Sequence, residues 1–336
     1  MIDPILLIPI LLSMVSVFLL MPFWIRKAHQ IGLIWGDMNK IASKKVAGSG
    51  GIIVNLSFIL GVLLIVAYRV FILETNTFLI ETLALALVVI LSGSIGFIDD
   101  LFGWHRGGLS RKSRLILMIF ASIPLIVINA GKSVVNLPIL GSVSFGLIYP
   151  LLIIPLAIVG ATTTFNFLAG FNGLEAGQGA LLLSGLSLVA FMTGNSWLAL
   201  IGLCCVAALL AFMFFNVYPA SVFPGDVLTY SVGSLIAIMP IIGNFERIAV
   251  FFFIPYVIEV FMKARGKLVK QSFGLPQKDG SLKLRYEKLY GLEHLSIYLM
   301  EKLQIKPTER KVVYSIWLLQ IIVILVGLVI FQDSLG

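Results

Sequence analysis

The chain has 336 residues, 59% of them hydrophobic and only 12% charged, and its mean hydropathy is +1.06. Soluble domains are about half apolar and a quarter charged, so a water-soluble globule is excluded and lipid must solvate much of the surface. The formal net charge of +8 raises nucleic acid as a partner, but the distribution of that charge excludes it.

A helix needs about 20 apolar residues to cross the hydrocarbon core. Runs of this kind occupy 4–23, 51–72, 79–97, 114–130, 147–165, 179–194, 197–215, 227–243, 247–264 and 312–331. The first follows no basic segment and lacks a small-residue cleavage site, so it reads as a retained helix. Cys204 and Cys205 lie side by side in the seventh run. Adjacent positions on a helix point in different directions, so the pair reads as buried thiols, neither disulfide nor metal site. The segment 265–311 is long and basic. Within it Pro276 to Gly280 predicts the turn of a β-hairpin, and Leu289 to Leu303 predicts a short amphipathic helix at the membrane surface. The expected fold is an all-α polytopic membrane protein of about ten transmembrane helices. It forms a single domain, 1–336, with 265–311 as an appendage to the site.

With ten spans both termini share one side, and every odd-numbered helix empties into the other. The loops after spans one, three and nine, with Arg114 and Lys263 at the adjoining span ends, hold 21 of the 24 Lys and Arg residues; only Arg69, Lys132 and Arg247 fall elsewhere. The positive-inside rule makes the rich side cytoplasmic. The charge is then a collar facing anionic headgroups.

Four segments carry polar residues on that side. The third span ends in Gly96-Phe97-Ile98-Asp99-Asp100, two adjacent carboxylates at membrane depth, suited to metal binding or base catalysis. The fifth leads into Asn166-Phe167-Leu168-Ala169-Gly170-Phe171-Asn172-Gly173-Leu174-Glu175-Ala176-Gly177-Gln178, which no lipid-facing segment needs. Its glycines allow turns and close backbone approach to a ligand. The seventh leads into Phe223-Pro224-Gly225-Asp226, where Asp226 suits a helix N-cap or a ligand-binding carboxylate. The last loop carries Lys267, Lys270 and His294. Acidic and amide oxygens beside many cations suit Mg²⁺ with a polyanion such as a nucleotide diphosphate.

These motifs resemble the polyprenyl-phosphate N-acetylhexosamine-1-phosphate transferases. That family has a Gly-x-x-Asp-Asp element after its third helix, matched by Gly96 to Asp100, and a Gly-Asp element opening its eighth, matched by Gly225-Asp226. Asn166 to Gln178 is close to the signature of the archaeal and eukaryotic branch. Asp37-Met38-Asn39-Lys40, with Gly50-Gly51, looks like that branch's first cytoplasmic loop. The resemblance runs from about residue 36 to 311 and agrees with ten helices.

The resemblance implies transfer of GlcNAc-1-phosphate from UDP-GlcNAc to dolichyl or another polyprenyl phosphate, with release of UMP. Mg²⁺ would be required, with Mn²⁺ as a substitute. Asn172 and Asp226 would hold the metal. Asp99, Asp100 and Arg114 would be catalytic. Asn39, Lys40, Asn166, Gly173, Leu174, Glu175, Lys267, Lys270 and His294 would contact substrate. The setting would be the cell membrane, with the active site facing the cytoplasm and both termini opposite; a homodimer is compatible with it. The chain departs from the family in lacking a polar residue four positions after Asp100, and in lacking a His-rich or Arg-rich match in the last loop. Transfer of another HexNAc phosphate, or of phospho-MurNAc-pentapeptide, to undecaprenyl phosphate is the alternative chemistry. A secondary transporter is the alternative class, although transporters keep their sites near the midplane.

Overall fold

The computed structural model describes residues 4–41, 44–137 and 141–335. It is mostly helical, with very little sheet: α1 (Leu7–Ile31), α2 (Gly51–Phe71), α3 (Leu79–Arg106), α4 (Arg111–Val127), α5 (Ile154–Phe165, preceded by a wider turn from Tyr149), α6 (Leu174–Met192), α7 (Ser196–Asn216), α8 (Gly225–Gly243), α9 (Glu246–Phe252), α10 (Ile254–Arg265), α11 (Leu292–Lys302) and α12 (Glu309–Ile330). Among the described residues, seven of these are long and apolar enough to cross a membrane, and Tyr149–Phe165 is a shorter apolar helix. The remaining two expected spans appear as α4, of 17 residues, and the broken pair α9–α10. All ten apolar runs are therefore helical.

Three expectations about these helices need correction. The ninth span is two helices parted at Phe253. Pro255 explains the break, because it has no N–H for the preceding turn and restricts the residue before it. The third helix does not end at Asp99 and Asp100 but runs on to Arg106, where Gly107 closes it at φ +83°. The carboxylates thus sit inside the helix, where other groups balance them, and do not oppose its C-terminal dipole. The sixth helix starts at Leu174, so Glu175 and Gln178 belong to its first turns and not to the loop.

The buried centre of the bundle is α8, 83% buried along its span, whereas α1 and α12 are 28% buried and form the lipid-facing rim. It packs against α3, α5, α6 and α2. Small residues let these backbones approach where no hydrophobic effect drives helices together. A Cβ at Gly96 would collide with the Asp226 carbonyl, and one at Gly51 with the Leu228 backbone. Such contacts bring α2 and α3 onto the first turn of α8, at one end of the bundle.

Among the described residues, three small antiparallel hairpins join the helices: β1–β2 (Ile34–Gly36, Lys45–Ala47), β3–β4 (Val134–Leu137, Gly141–Ser144) and β5–β6 (Leu275–Pro276, Leu282–Lys283). The first docks on the segment that enters α8: Phe223 donates its N–H to the Ala47 carbonyl at 2.8 Å, and Gly50 to the Phe223 carbonyl at 2.8 Å. The third is the hairpin expected around Pro276 to Gly280, and α11 is the expected short helix. That helix is not simply laid on the membrane surface, since Glu293, His294 and Ile297 are buried. The extreme termini lie outside the described residues.

Candidate active site

The segments that follow α1, α5, α7 and α10 meet the last turns of α3 at one end of the bundle. They enclose a cavity of about 340 Å³ lined by Asp37, Asp100, Asn166, Asn172, Glu175, Asp226 and Phe273, among others. Its geometry begins at α8. Gly225 has φ +73°, and a Cβ there would strike the Asp100 carboxylate. Without that Cβ, Asp100 accepts the N–H of Asp226 at 2.8 Å and that of Val227 at 3.5 Å. A carboxylate on α3 thus caps the start of α8, where free N–H groups and the helix dipole favour negative charge. Asp226, in the first turn, is presented to the cavity, and its Oδ1 accepts from the Asn166 amide at 3.1 Å.

A second carboxylate–amide pair faces the first. Asn172 donates from Nδ2 to Asp37 Oδ2 at 3.1 Å, and its backbone N–H donates to Glu309 Oε1 at 2.8 Å. Asp37 is also paired with Lys40 at 2.5 Å and accepts the Asn39 N–H at 3.2 Å. Glu175 accepts the Gly170 N–H at 2.8 Å, and Asn39 donates to the Gly170 carbonyl at 2.9 Å. The glycine-rich loop is therefore held by polar side chains from several other segments. Buried polar groups need such partners, because an unpaired one costs about 1–3 kcal/mol.

The donor set suits a hard cation. Each Asn directs its NH₂ at a carboxylate, which leaves both amide oxygens for the cavity, beside Asp226 and Asp100. Among the described residues no three His, Cys, Asp or Glu side chains gather as a ready metal cluster. A cation here would need amide oxygens, water and substrate phosphate to complete its shell, which is the habit of Mg²⁺.

The expected site residues divide into those that reach this cavity and those that do not. Asp100, Asn166, Asn172, Glu175 and Asp226 line it, and Asn39 braces it from behind. Asp99 does not line it: it is 2% exposed, paired with Arg114 at 2.6 Å, and accepts from the Leu109 N–H at 2.7 Å and the Tyr230 hydroxyl at 3.2 Å. Arg114 is committed to that pair. Gly173 contributes a backbone N–H to Asn216 Oδ1, and the Leu174 side chain is wholly in the core. Lys40 faces a neighbouring polar cleft that it shares with Tyr218, Glu309 and Arg310. Lys267 and Lys270 are exposed away from the cavity, the latter over the Tyr286 ring. His294 is buried, its Nδ1 accepting from the Tyr290 N–H at 3.3 Å, and burial pulls its pKa below the ordinary imidazole range.

Sequence reasoning passes over Asp37, Tyr230, Glu309 and Phe273 as site residues. Asp37 opens the Asp37-Met38-Asn39-Lys40 motif that carries two expected contacts, and that membership is its signal. The other three give none, since each is brought in by distant chain. Outside the cavity, an apolar groove of about 390 Å³ runs between α5, α8 and α9–α10, from Glu246 to Thr164, two residues before Asn166.

Fold and site together define an integral membrane protein with an acidic, amide-rich cavity at one end of its helix bundle and an apolar groove nearby. The profile of glycosyl transferase family 4 matches residues 82–244. A Saccharolobus solfataricus protein, provisionally named a UDP-N-acetylglucosamine–dolichyl-phosphate N-acetylglucosaminephosphotransferase, is 32% identical over 326 residues, 96% of each chain. A Dictyostelium discoideum protein of the same name is 28% identical over 73% of this chain and 67% of its own. A phospho-N-acetylmuramoyl-pentapeptide-transferase of Halalkalibacterium halodurans is 30% identical over 80% of this chain and 87% of its own. The chain belongs to glycosyl transferase family 4, in the archaeal and eukaryotic branch that its loop signature resembles.

Proposed function

We propose that this protein transfers N-acetylglucosamine 1-phosphate from UDP-N-acetylglucosamine to dolichyl phosphate or another polyprenyl phosphate, releasing UMP. One observation carries the reading: the Asn166–Asp226 and Asn172–Asp37 pairs ring a single cavity at the end of the bundle, beside the apolar groove. The relatives' names supply the substrates. A diphosphate needs oxygen-bound metal and fixed donors, and a lipid phosphate needs an apolar path for its chain.

An oxygen of the lipid phosphate attacks the β-phosphorus of the sugar nucleotide. A new P–O bond forms, the bond from that phosphorus to the bridging oxygen breaks, and the oxygen leaves on UMP. Bound Mg²⁺ would supply neutralisation of the diphosphate charge. Asp226 and the amide oxygens of Asn166 and Asn172 are the groups to hold it. Asp100 accepts the Asp226 N–H and so seats Asp226 at the cavity. Asp99, saturated by its donors, keeps Arg114 and α4 against the site. The crowding of basic residues at this end supports a cytoplasmic orientation, with UDP-sugar arriving into positive potential.

The test is incubation of membranes holding the protein with radiolabelled UDP-N-acetylglucosamine, Mg²⁺ and a polyprenyl phosphate. Labelled lipid diphosphate and UMP are the expected products. Product only from another UDP-HexNAc, or from the MurNAc-pentapeptide donor, would redirect the substrate assignment; no product from any would overturn the reading.

A further inference from the structure

Phe273 walls the catalytic cavity from the last loop, and its ring lies against Gly170, where an added Cβ would stand within 3.4 Å of three ring carbons. A loop this long offers no intrinsic reason for the ring to hold one position. The reason lies in α10. Lys263, 8% exposed, donates from Nζ to the Ser272 hydroxyl, one residue before the ring. Glu259, fully buried and one helical turn earlier, pairs with Lys263 at 3.3 Å. Its other oxygen accepts the Leu292 N–H at 2.7 Å. Leu292 opens α11, whose N-cap Gly291 has no side chain to do this. One turn of α10 therefore grips both ends of the segment 272–292. Inside that segment Arg285 donates to the Phe273 carbonyl at 3.2 Å, the Gly274 carbonyl at 3.4 Å and Gln271 Oε1 at 3.1 Å.

Burying this network is costly. Glu293 lies beside the Glu259–Lys263 pair with both oxygens buried, so a second carboxyl is held out of water next to the first. Well-packed apolar residues would anchor a loop at lower cost. What an ion pair with directed donors adds is a fixed position for the group at its end.

We infer that Glu259 and Lys263 are positioning residues for the donor substrate: acting through Ser272, they fix the Phe273 ring against Gly170 and so set the shape of the cavity wall. The inference rests on the proposed transfer reaction for its kinetic readout only. Neither residue touches the cavity, so their loss changes how well the donor is held more than how fast it reacts.

The experiment uses the full chain in lipid nanodiscs, comparing wild type with Lys263→Met, Lys263→Arg, Glu259→Gln and Ser272→Ala. Hydrogen exchange of the amides at 271–274 needs no substrate and reads the anchoring itself. It is expected to speed up in Lys263→Met, Glu259→Gln and Ser272→Ala and to stay near wild type in Lys263→Arg. The KM for UDP-N-acetylglucosamine is expected to rise roughly tenfold in the first three with a smaller change in kcat, as misplacement of a binding group predicts, and Lys263→Arg should recover most of it. Faster exchange with an unchanged KM would overturn the inference, as would a fall in kcat and thermal stability together at constant KM. Should Lys263→Met fail to fold, Ser272→Ala, which leaves the buried charges intact, decides alone. A wild type that makes no lipid product would sink the transfer reading, while the exchange data would still report whether α10 holds the loop.

Discussion

Asp100 and Asp226 are joined side chain to backbone: the α3 carboxylate accepts the N–H of the α8 aspartate at 2.8 Å. Two motifs 126 residues apart thus form one object, with Gly96 and Gly225 supplying the room. Asp100→Ala should remove the cap and cost about 1–2 kcal/mol, seen as a lower unfolding temperature in detergent, together with a loss of transfer activity. Asp100→Asn keeps an acceptor oxygen and should retain most of the stability.

The pairing of Asn166 with Asp226 makes a different demand. Asp226→Asn should leave the fold intact but lower turnover by about 10²–10³-fold, the usual scale for removing a group that stabilises developing charge. Asn172→Ala should raise the Mg²⁺ concentration needed for half-maximal rate. Wild-type rates with an unaltered Mg²⁺ dependence in both variants would remove these residues from the metal site.

Asp99 and Arg114 form a partly buried pair that can be broken from either side. Arg114→Met strands the Asp99 charge and should destabilise by about 2–4 kcal/mol. Asp99→Asn in the same chain should restore part of that loss, a coupling readable in a double-mutant cycle of unfolding temperatures. Additive effects would show that the pair contributes nothing.

Glu293 gives the pH prediction. Burial, then the Glu259 charge, push its carboxyl well above the ordinary value of 4.5. The folded state therefore holds this proton more tightly than the unfolded chain does. Its contribution is fully present at acid pH and is lost as pH rises from about 4.5 through the raised value. Glu293→Gln, which stays neutral, should be more stable than wild type at neutral pH, with the gap closing near pH 4. An equal gap at every pH would refute this.

The helix inventory is legible in the sequence because length and apolarity alone decide a span. The break at Phe253 is not, since a proline inside an apolar run can kink, end or merely begin a helix. Asp100, Asn166, Asn172 and Asp226 are legible because polar groups at membrane depth are expensive and rarely idle. Asp99 shows the limit of that logic. Its neighbour Asp100 lines the cavity, but the adjacent position on a helix points about 100° away, and Asp99 pairs with Arg114 behind Asp226 without lining the cavity. Lys267, Lys270 and His294 stand out by charge and by belonging to the right loop, and only packing could reveal that none reaches the cavity. Phe273 is invisible for the converse reason, an ordinary aromatic whose role comes from a lysine on another helix.

The apolar groove between α5, α8 and the two halves of the broken helix has a kinetic consequence. Its lining is apolar along its length, so a lipid acceptor whose chain lay in it would reach the cavity by diffusing in the plane of the membrane and not through water. Its encounter rate then depends on how many acceptor molecules share each unit of bilayer. Rates measured in mixed micelles should fall when detergent is added at constant acceptor concentration, and should recover when the ratio of acceptor to detergent is restored.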